Sequence, residues 1–152
     1  MPFKKSFTLR YPNSHKNSII VDVVLSFFVY FSENPKQVEI KVKGLIDTGA
    51  NGSCISRRLV EACRLEKKSA ITVFSIQGES EVPVYEVDFI LPNDMKFENI
   101  PVMEIPGSKN FDVIIGMNIL SQCDVAITND ENGLVFSMRY PSENHAIDFC
   151  DK

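Results

Sequence analysis

An apolar segment that runs into a carboxylate dominates residues 45–56, which read LIDTGANGSCIS. Here Leu45 and Ile46 deliver Asp47, Thr48 and Gly49 into a turn. A glycine lets the backbone approach another chain or a ligand closely. A threonine hydroxyl can bond the backbone and fix the shape of the loop. A carboxylate held in such a loop can activate a water molecule.

Hydrolysis of a peptide bond by carboxylates alone requires two of them. One must be ionised to take a proton from water, and the other must be protonated to polarise the carbonyl. Because like charges about 3 Å apart cannot both ionise, the pair shares one proton. The chain contains one Asp-Thr-Gly triplet. The sequence therefore predicts a two-fold homodimer that brings Asp47 of one copy to Asp47 of the other.

Strand patterns dominate the rest of the chain, as in QVEIKVK, where apolar and charged residues alternate. We predict strands over residues 19–31, 37–46, 70–76, 82–91, 99–105 and 111–115, with a last hairpin joining 125–128 to 134–139. Helical periodicity predicts short helices over residues 56–66 and 117–122. Short strands with frequent turns favour an all-β fold, closed or sandwich-like, with one or two short helices. The length favours a single domain over residues 1–152, with a core over about 19–140 and polar terminal extensions.

A second motif, FDVIIGMNILSQCDVAITN, occupies residues 111–129. Segments 45–56 and 111–129 together resemble the retropepsin-like aspartic peptidases, particularly the cellular and bacterial relatives of the retroviral enzymes. The resemblance implies a closed β-barrel of the acid-protease fold, an obligate homodimer and a hairpin flap that closes over an extended peptide. In retroviral enzymes intertwined terminal strands build much of the dimer interface, whereas residues 1–16 and 141–152 are longer and polar here.

The same resemblance assigns roles to the residues of the Asp-Thr-Gly motif. It implies that Asp47 is the catalytic aspartate and that Thr48 braces the paired loops across the dimer axis. It further implies that Gly49 offers its carbonyl to the substrate backbone. Residues around Gly116 are expected to pack behind this loop.

The resemblance also indicates substrate-binding positions, in the loop and in the flap. In the loop these are Ala50 and Asn51, and Asn51 stands where retroviral enzymes commonly have an aspartate. In the flap they are Gln77, Gly78 and Glu79, with one glycine where retroviral flaps are glycine-rich.

Composition argues against several other classes of function. The net charge of −4 and the scattered basic residues disfavour a nucleic-acid partner. The four cysteines lack the close pairs of a structural zinc site, so we expect no metal, no cofactor and reduced thiols in the cytoplasm. The apolar stretch 19–31 is too short to span a bilayer. We expect Asp112 to be structural, Cys54 to be a small buried hydrophobe and His145 to be exposed.

Two functions remain open at this stage. The first is an aspartic endopeptidase that acts on an extended peptide or protein through an Asp47 dyad. The alternative is a catalytically silent dimeric module that binds peptides or assembles a complex on the same fold, which the departures at Asn51 and at the flap tip favour.

Overall fold

The computed structural model describes residues 3–15, 17–30 and 33–150. These ranges contain ten strands, which are β1 Lys5–Pro12, β2 Ile20–Val29, β3 Lys36–Ile46, β4 Ser53–Ser56, β5 Ser69–Ser75, β6 Gly78–Leu91, β7 Met95–Ile105, β8 Val113–Ile115, β9 Asp124–Asp130 and β10 Gly133–Tyr140. The two α-helices are α1 Arg57–Cys63 and α2 Met117–Leu120, and 3-10 turns lie at Asn13–His15 and Pro92–Asp94. Among the described helices, none has the length and apolar character needed to cross a membrane.

Six strands form a closed barrel in the order β2-β3-β8-β4-β7-β6, which a pairing of β6 with β2 completes. Most pairs are antiparallel, but β3 with β8 and β4 with β7 are parallel. The long strand β6 leaves the barrel at its start, where residues 78–84 pair with β5 as a hairpin. The predicted all-β, closed-barrel fold with two short helices is thus confirmed.

The core fills the inside of the barrel because strand side chains alternate between two faces. In β2, alternate residues from Val21 to Val29 are buried, and in β3 the predicted alternation of apolar and charged residues is present. The largest side chains that are almost fully buried are Phe89, Leu25, Ile55, Met95 and Ile115 of the barrel, together with Phe136 of β10 in the other sheet. The barrel wall therefore provides a rigid base for the loop that follows β3.

A separate three-stranded sheet, in the order β1-β10-β9, contains the two terminal strands. Sequence analysis predicted a polar N-terminal extension, but residues 5–12 form β1 and place Phe7, Leu9 and Tyr11 against the core. The alternation of these residues with polar ones was the signal for this strand. The terminal strands thus pair within one copy of the chain.

Other differences concern element boundaries. The four-residue strand β4 was not predicted, and β7 begins at Met95, whereas position 99 was predicted. Helix α1 ends at Cys63, earlier than predicted, because Arg64 adopts the left-handed conformation. The predicted first strand reached Phe31, which lies outside the described residues.

Candidate active site

The Asp-Thr-Gly loop connects β3 to β4 and rests on the neighbouring strand β8. The backbone N–H of Asp47 donates to the carbonyl of Ile115 at 3.0 Å, and the N–H of Ala50 donates to the carbonyl of Asp47 at 3.3 Å. One oxygen of the Asp47 carboxylate accepts the N–H of Gly49 at 2.9 Å. The carboxylate is half-buried, and Thr48 and Gly49 are exposed. Among the described residues no cation forms an ion pair with Asp47, so the carboxylate is oriented but not neutralised.

Helix α2 packs directly behind this loop. The N–H of Met117 donates to the carbonyl of Ala50 at 2.7 Å, and the N–H of Asn118 donates to the carbonyl of Asn51 at 3.0 Å. Between β8 and the helix, a Cβ on Gly116 would lie 2.4 Å from the carbonyl oxygen of Gly52. Only glycine permits this approach, which gives a physical reason for the glycine that ends the VIIG motif.

A buried serine connects the loop to the helix, and sequence analysis missed it. Ser53 is fully buried at the start of β4. Its hydroxyl accepts the N–H of Gly116 at 3.1 Å and donates to the side-chain oxygen of Asn118 at 2.7 Å. The only sequence signal was a small polar residue just after the motif. Ser53 therefore connects the start of β4 to the residues that pack behind the loop.

The predicted flap is the hairpin of β5 and β6, and its tip consists of Ile76 and Gln77. The N–H of Gln77 donates to the hydroxyl of Ser75 at 3.2 Å, and Gly78 has a φ of +115° that favours glycine. The tip is two residues long, because Gly78 and Glu79 already belong to β6. Within the described part of the chain, no hydrogen bond joins this hairpin to the Asp47 loop. Residues 47–51 thus form one loop, and 77–79 lie in a separate element.

The hairpin also exposes large apolar side chains that sequence analysis did not select. Phe74 is 74% exposed, and Ile76 is completely exposed. A projecting hairpin with apolar side chains at its end is suited to contact a partner or a ligand.

The remaining candidate residues have structural surroundings. Asp112 accepts hydrogen bonds from the Ser56 hydroxyl at 2.8 Å and from Arg58 Nε at 2.7 Å. Burial raises the pKa of Asp112, but these hydrogen bonds outweigh it and leave the pKa below its usual value. Burial and the nearby Asp47 raise the pKa of Cys54, which is almost fully buried, and both effects disfavour the reactive thiolate. His145 is exposed, as predicted.

A metal site is not apparent in the described ranges, where no group of three or more histidine, cysteine or acidic side chains is arranged to hold an ion. All four cysteines are free thiols.

The fold and the loop together define a class of protein, the retropepsin-like aspartic proteases. A crystal structure of a retropepsin-like aspartic protease from Rickettsia conorii superposes with a TM-score of 0.58 at 15% identity, covering 90% of this chain and 95% of that chain. The solution structure of Simian Foamy Virus (mac) protease matches with a TM-score of 0.47 at 16% identity, covering 68% of this chain and 92% of that one.

Residues 38–122 match the model of the gag-polyprotein putative aspartyl protease family. Because this match spans more than half of the chain, the protein belongs to that family. No curated protein sequence matches the chain. The resemblance predicted from the two motifs is thus confirmed at the level of family and fold.

Proposed function

We propose that the protein is an aspartic endopeptidase whose catalytic dyad consists of Asp47 from each of two copies. The observation that carries this proposal is the state of the Asp47 carboxylate. It is held by a single N–H, that of Gly49, while backbone bonds to β8 and α2 fix the loop around it. A carboxylate that is positioned but not paired remains available for proton transfer.

In the proposed reaction the dyad holds one proton and one water molecule. The ionised Asp47 takes a proton from the water while the water oxygen bonds to the substrate carbonyl carbon. The protonated Asp47 of the other copy donates its proton to the carbonyl oxygen, which gives a neutral tetrahedral intermediate. The carbon–nitrogen bond then breaks, the departing amine takes a proton from the dyad, and the dyad regains one from the intermediate. No covalent bond to the protein forms.

The proposed substrate is an extended peptide or protein segment. The β5–β6 hairpin supports this, because β5 is an edge strand whose outer backbone groups can pair with an added strand. The exposed side chains of Phe74 and Ile76 would cover such a segment. We also expect Asn51, which is neutral and exposed, to bond the substrate main chain through its amide.

The test is cleavage of a peptide library, read by mass spectrometry, from about pH 4 to pH 7, the range over which a carboxylate dyad changes protonation. We expect Asp47→Asn to lose cleavage by at least about 1,000-fold because an amide cannot accept the proton of water. Asp112→Asn is the matched control: it changes another partly buried carboxylate, one with structural partners, and should keep cleavage in its folded fraction. Equal cleavage by wild type and Asp47→Asn would refute the mechanism.

The alternative is a silent dimeric peptide-binding or assembly module, which the neutral Asn51 favours. Tight binding of library peptides by a dimer, without cleavage at any pH tested, would support it over the enzyme.

A further inference from the structure

The seam that closes the barrel opens at one end. Strands β2 and β6 pair only where residues 24–26 meet residues 88–90. In the part of the chain that the structure describes, no backbone hydrogen bond joins β2 to β6 beyond Ser26. Alternate residues of a strand direct their N–H and C=O groups to each side. The end of β2 therefore presents backbone groups to a gap in the wall of the barrel.

A cavity of about 230 Å³ occupies this gap. Its wall includes Phe28 and Tyr30 from the end of β2, Leu65 from the segment after α1, and Glu86 from β6. Sites for cofactors and drug-sized ligands have volumes of about 300 Å³ or more. A second hollow of about 690 Å³ shares Phe28 and Tyr30 with the cavity. The gap thus has room for one large side chain, with space beside it for neighbouring residues.

The two aromatic rings at the gap are in contact with water. Phe28 is 54% exposed and Tyr30 is 60% exposed. Phe28 lies on the outer face of β2, because its neighbours Phe27 and Val29 are buried in the core. Single exposed apolar side chains are common, whereas adjoining ones mark surfaces that bind a partner or a ligand.

The wall of the cavity is negatively charged. Three of its side chains are acidic, Glu66, Glu86 and Asp88, and one, Lys68, is basic. Lys68 pairs with Glu66 at 3.5 Å, and Lys96 lies 3.8 Å from Asp88. Glu86 is exposed and has no ion pair among the described residues. The cavity therefore offers a carboxylate to a cation that enters beside the aromatic rings.

A buried hydroxyl also lines the cavity. Ser26 is 1% exposed, and its oxygen accepts a hydrogen bond from Gln37 Nε2 at 2.8 Å. Within the described ranges, nothing accepts the proton of this hydroxyl. A main-chain carbonyl of a bound polypeptide would be a suitable acceptor. This feature favours a polypeptide over a free cation as the occupant.

We propose that the cavity between the Phe28 and Tyr30 rings and the Glu86 carboxylate binds an arginine side chain from an extended segment of a partner protein. Arginine fits because its planar guanidinium group stacks on aromatic faces. Its five N–H groups can also bond more than one carboxylate. Apolar residues on either side of the arginine would rest on the exposed rings and in the second hollow.

The cavity is separate from the Asp47 loop. The N–H of Ile46 donates to the carbonyl of Ile19 at 2.9 Å, so the loop lies beside the start of β2. The strand from Ile20 to Phe28 spans about 26 Å. A partner held at the cavity would thus leave the Asp47 loop free, and the inference goes beyond the proposed function.

The first test is a titration with the peptide acetyl-Ala-Leu-Arg-Leu-Ala-amide, followed by two-dimensional NMR of the ¹⁵N-labelled protein. The Asp47→Asn background prevents cleavage of the peptide. We expect saturable shifts in the signals of residues 26–30, 65–68 and 86–88. The matched peptide with citrulline, which has nearly the same shape without the charge, should bind at least about 10-fold more weakly.

Three outcomes of this titration would overturn the proposal. The first is equal affinity for the two peptides, which would show that charge is not recognised. The second is a set of shifts confined to residues 47–51 and 74–79, which would show binding at the loop and the hairpin alone. The third is the absence of saturable shifts at the cavity.

The second test removes the available carboxylate. Glu86→Gln should raise the dissociation constant of the arginine peptide at least about 10-fold, because the guanidinium group loses its unpaired partner. The matched control is Glu131→Gln, the same change at an exposed glutamate in the turn between β9 and β10, which should leave the constant unchanged. A thermal melt establishes that both variants fold. Wild-type affinity in a folded Glu86→Gln protein would contradict the proposed arginine site.

The third test separates a partner protein from other sources of the guanidinium group. N-acetyl-arginine methylamide lacks the flanking leucines and should bind at least about 5-fold more weakly than the peptide. Equal affinity would mean that the site holds free guanidinium compounds and would overturn the polypeptide partner. Sedimentation velocity tests a second copy of this chain as the occupant. If Glu86→Gln weakened self-association of the protein about 10-fold, the arginine would come from another copy and the proposed partner protein would be wrong.

Discussion

Strand β4 has a completely buried serine at each end, and the two serines serve different carboxylates. At one end, Ser53 bonds Gly116 and Asn118, which support the Asp47 loop. At the other end, Ser56 donates directly to Asp112 and also accepts the N–H of Leu59 as the cap of α1. The same residue type, with the same burial, thus supports a loop in one place and donates a hydrogen bond to a carboxylate in the other.

The difference separates a structural carboxylate from one available for chemistry. Asp112 has two side-chain donors, one of them the cation Arg58, and its side chain is only 20% exposed. Asp47 receives one backbone N–H and no charge within the described residues. Asp112 is thus bonded to a hydroxyl and a guanidinium at the start of α1, whereas Asp47 is oriented and retains spare acceptor capacity.

The largest loss of stability is expected from Gly116→Ala, which disturbs the packing behind the Asp47 loop. The new Cβ would lie 2.4 Å from the carbonyl oxygen of Gly52 and 2.8 Å from that of Ala50. Because these backbone atoms cannot move away without disturbing the loop, we expect the free energy of unfolding to fall by about 3 kcal/mol. The corresponding fall in Tm is about 6–12 °C for a chain of this size, measured by calorimetry at fixed protein concentration.

Gly52→Ala is the matched control for this prediction. Its nearest neighbour would be the terminal methyl of Met103 at 3.3 Å, and a flexible side chain can move away. A Tm for Gly116→Ala as high as that for Gly52→Ala would show that the loop is not packed tightly on α2.

The next effect compares Ser53→Ala with Ser56→Ala. Each change leaves buried partners without a hydrogen bond, so each should lower the free energy of unfolding by about 1–3 kcal/mol in urea titrations. The effects on cleavage should differ, because of the two serines only Ser53 bonds residues that support the Asp47 loop. We expect kcat to fall about 10-fold or more for Ser53→Ala and to stay within about twofold for Ser56→Ala, per folded dimer.

Equal losses of kcat in the two serine variants would contradict the comparison. In that case activity would follow the stability of β4 as a whole and not the position of the loop. Restoration of kcat by Ser53→Cys, which retains a small donor at the position, would support the positioning role.

The sequence predicted the all-β fold and the turn at Asp47 because both depend on local patterns. Alternating strands and an apolar segment before Asp47 can be recognised without knowing what they contact. Ser53 could not be found in this way, because its partners, Gly116 and Asn118, lie more than 60 residues away in the chain. A lone serine carries no periodicity, and its role depends on which strand lies beside it.

Strand β1 was missed for a different reason. Its alternation of Phe7, Leu9 and Tyr11 with polar residues was present in the sequence. The terminal position and the polar partners suggested an extension, whereas pairing with β10 at the other end of the chain makes it part of the core. Such pairing joins residues more than 120 positions apart, and no local signal indicates it.

A smaller loss of stability is expected from Asp112→Asn, which tests the contribution of the structural carboxylate. Its depressed pKa means that the ionised form stabilises the native state above the unfolded pKa near 4, and this contribution is lost as pH falls through the native value. We expect the variant to be about 1–2 kcal/mol less stable at pH 7. The difference from wild type should shrink as the pH falls below about 4.

Asp22→Asn provides the control for that experiment. Asp22 also pairs with a cation, Lys43, but its side chain is 80% exposed. Exposed ion pairs contribute little, so its effect should stay below about 0.5 kcal/mol. If both variants lost the same free energy of unfolding, the partial burial of Asp112 would not strengthen its ion pair.

The smallest effect concerns Cys54, which lies between the two serines on β4. Its thiol is 7% exposed, and burial together with Asp47 raises its pKa, so iodoacetamide should not modify it in the native protein at neutral pH. Cys150 is exposed and should react, as peptide mapping would show. Cleavage should be unchanged after this treatment. Loss of activity in step with labelling of Cys54 would instead make the thiol part of the chemistry, and the comparison of the two carboxylates would no longer explain the site.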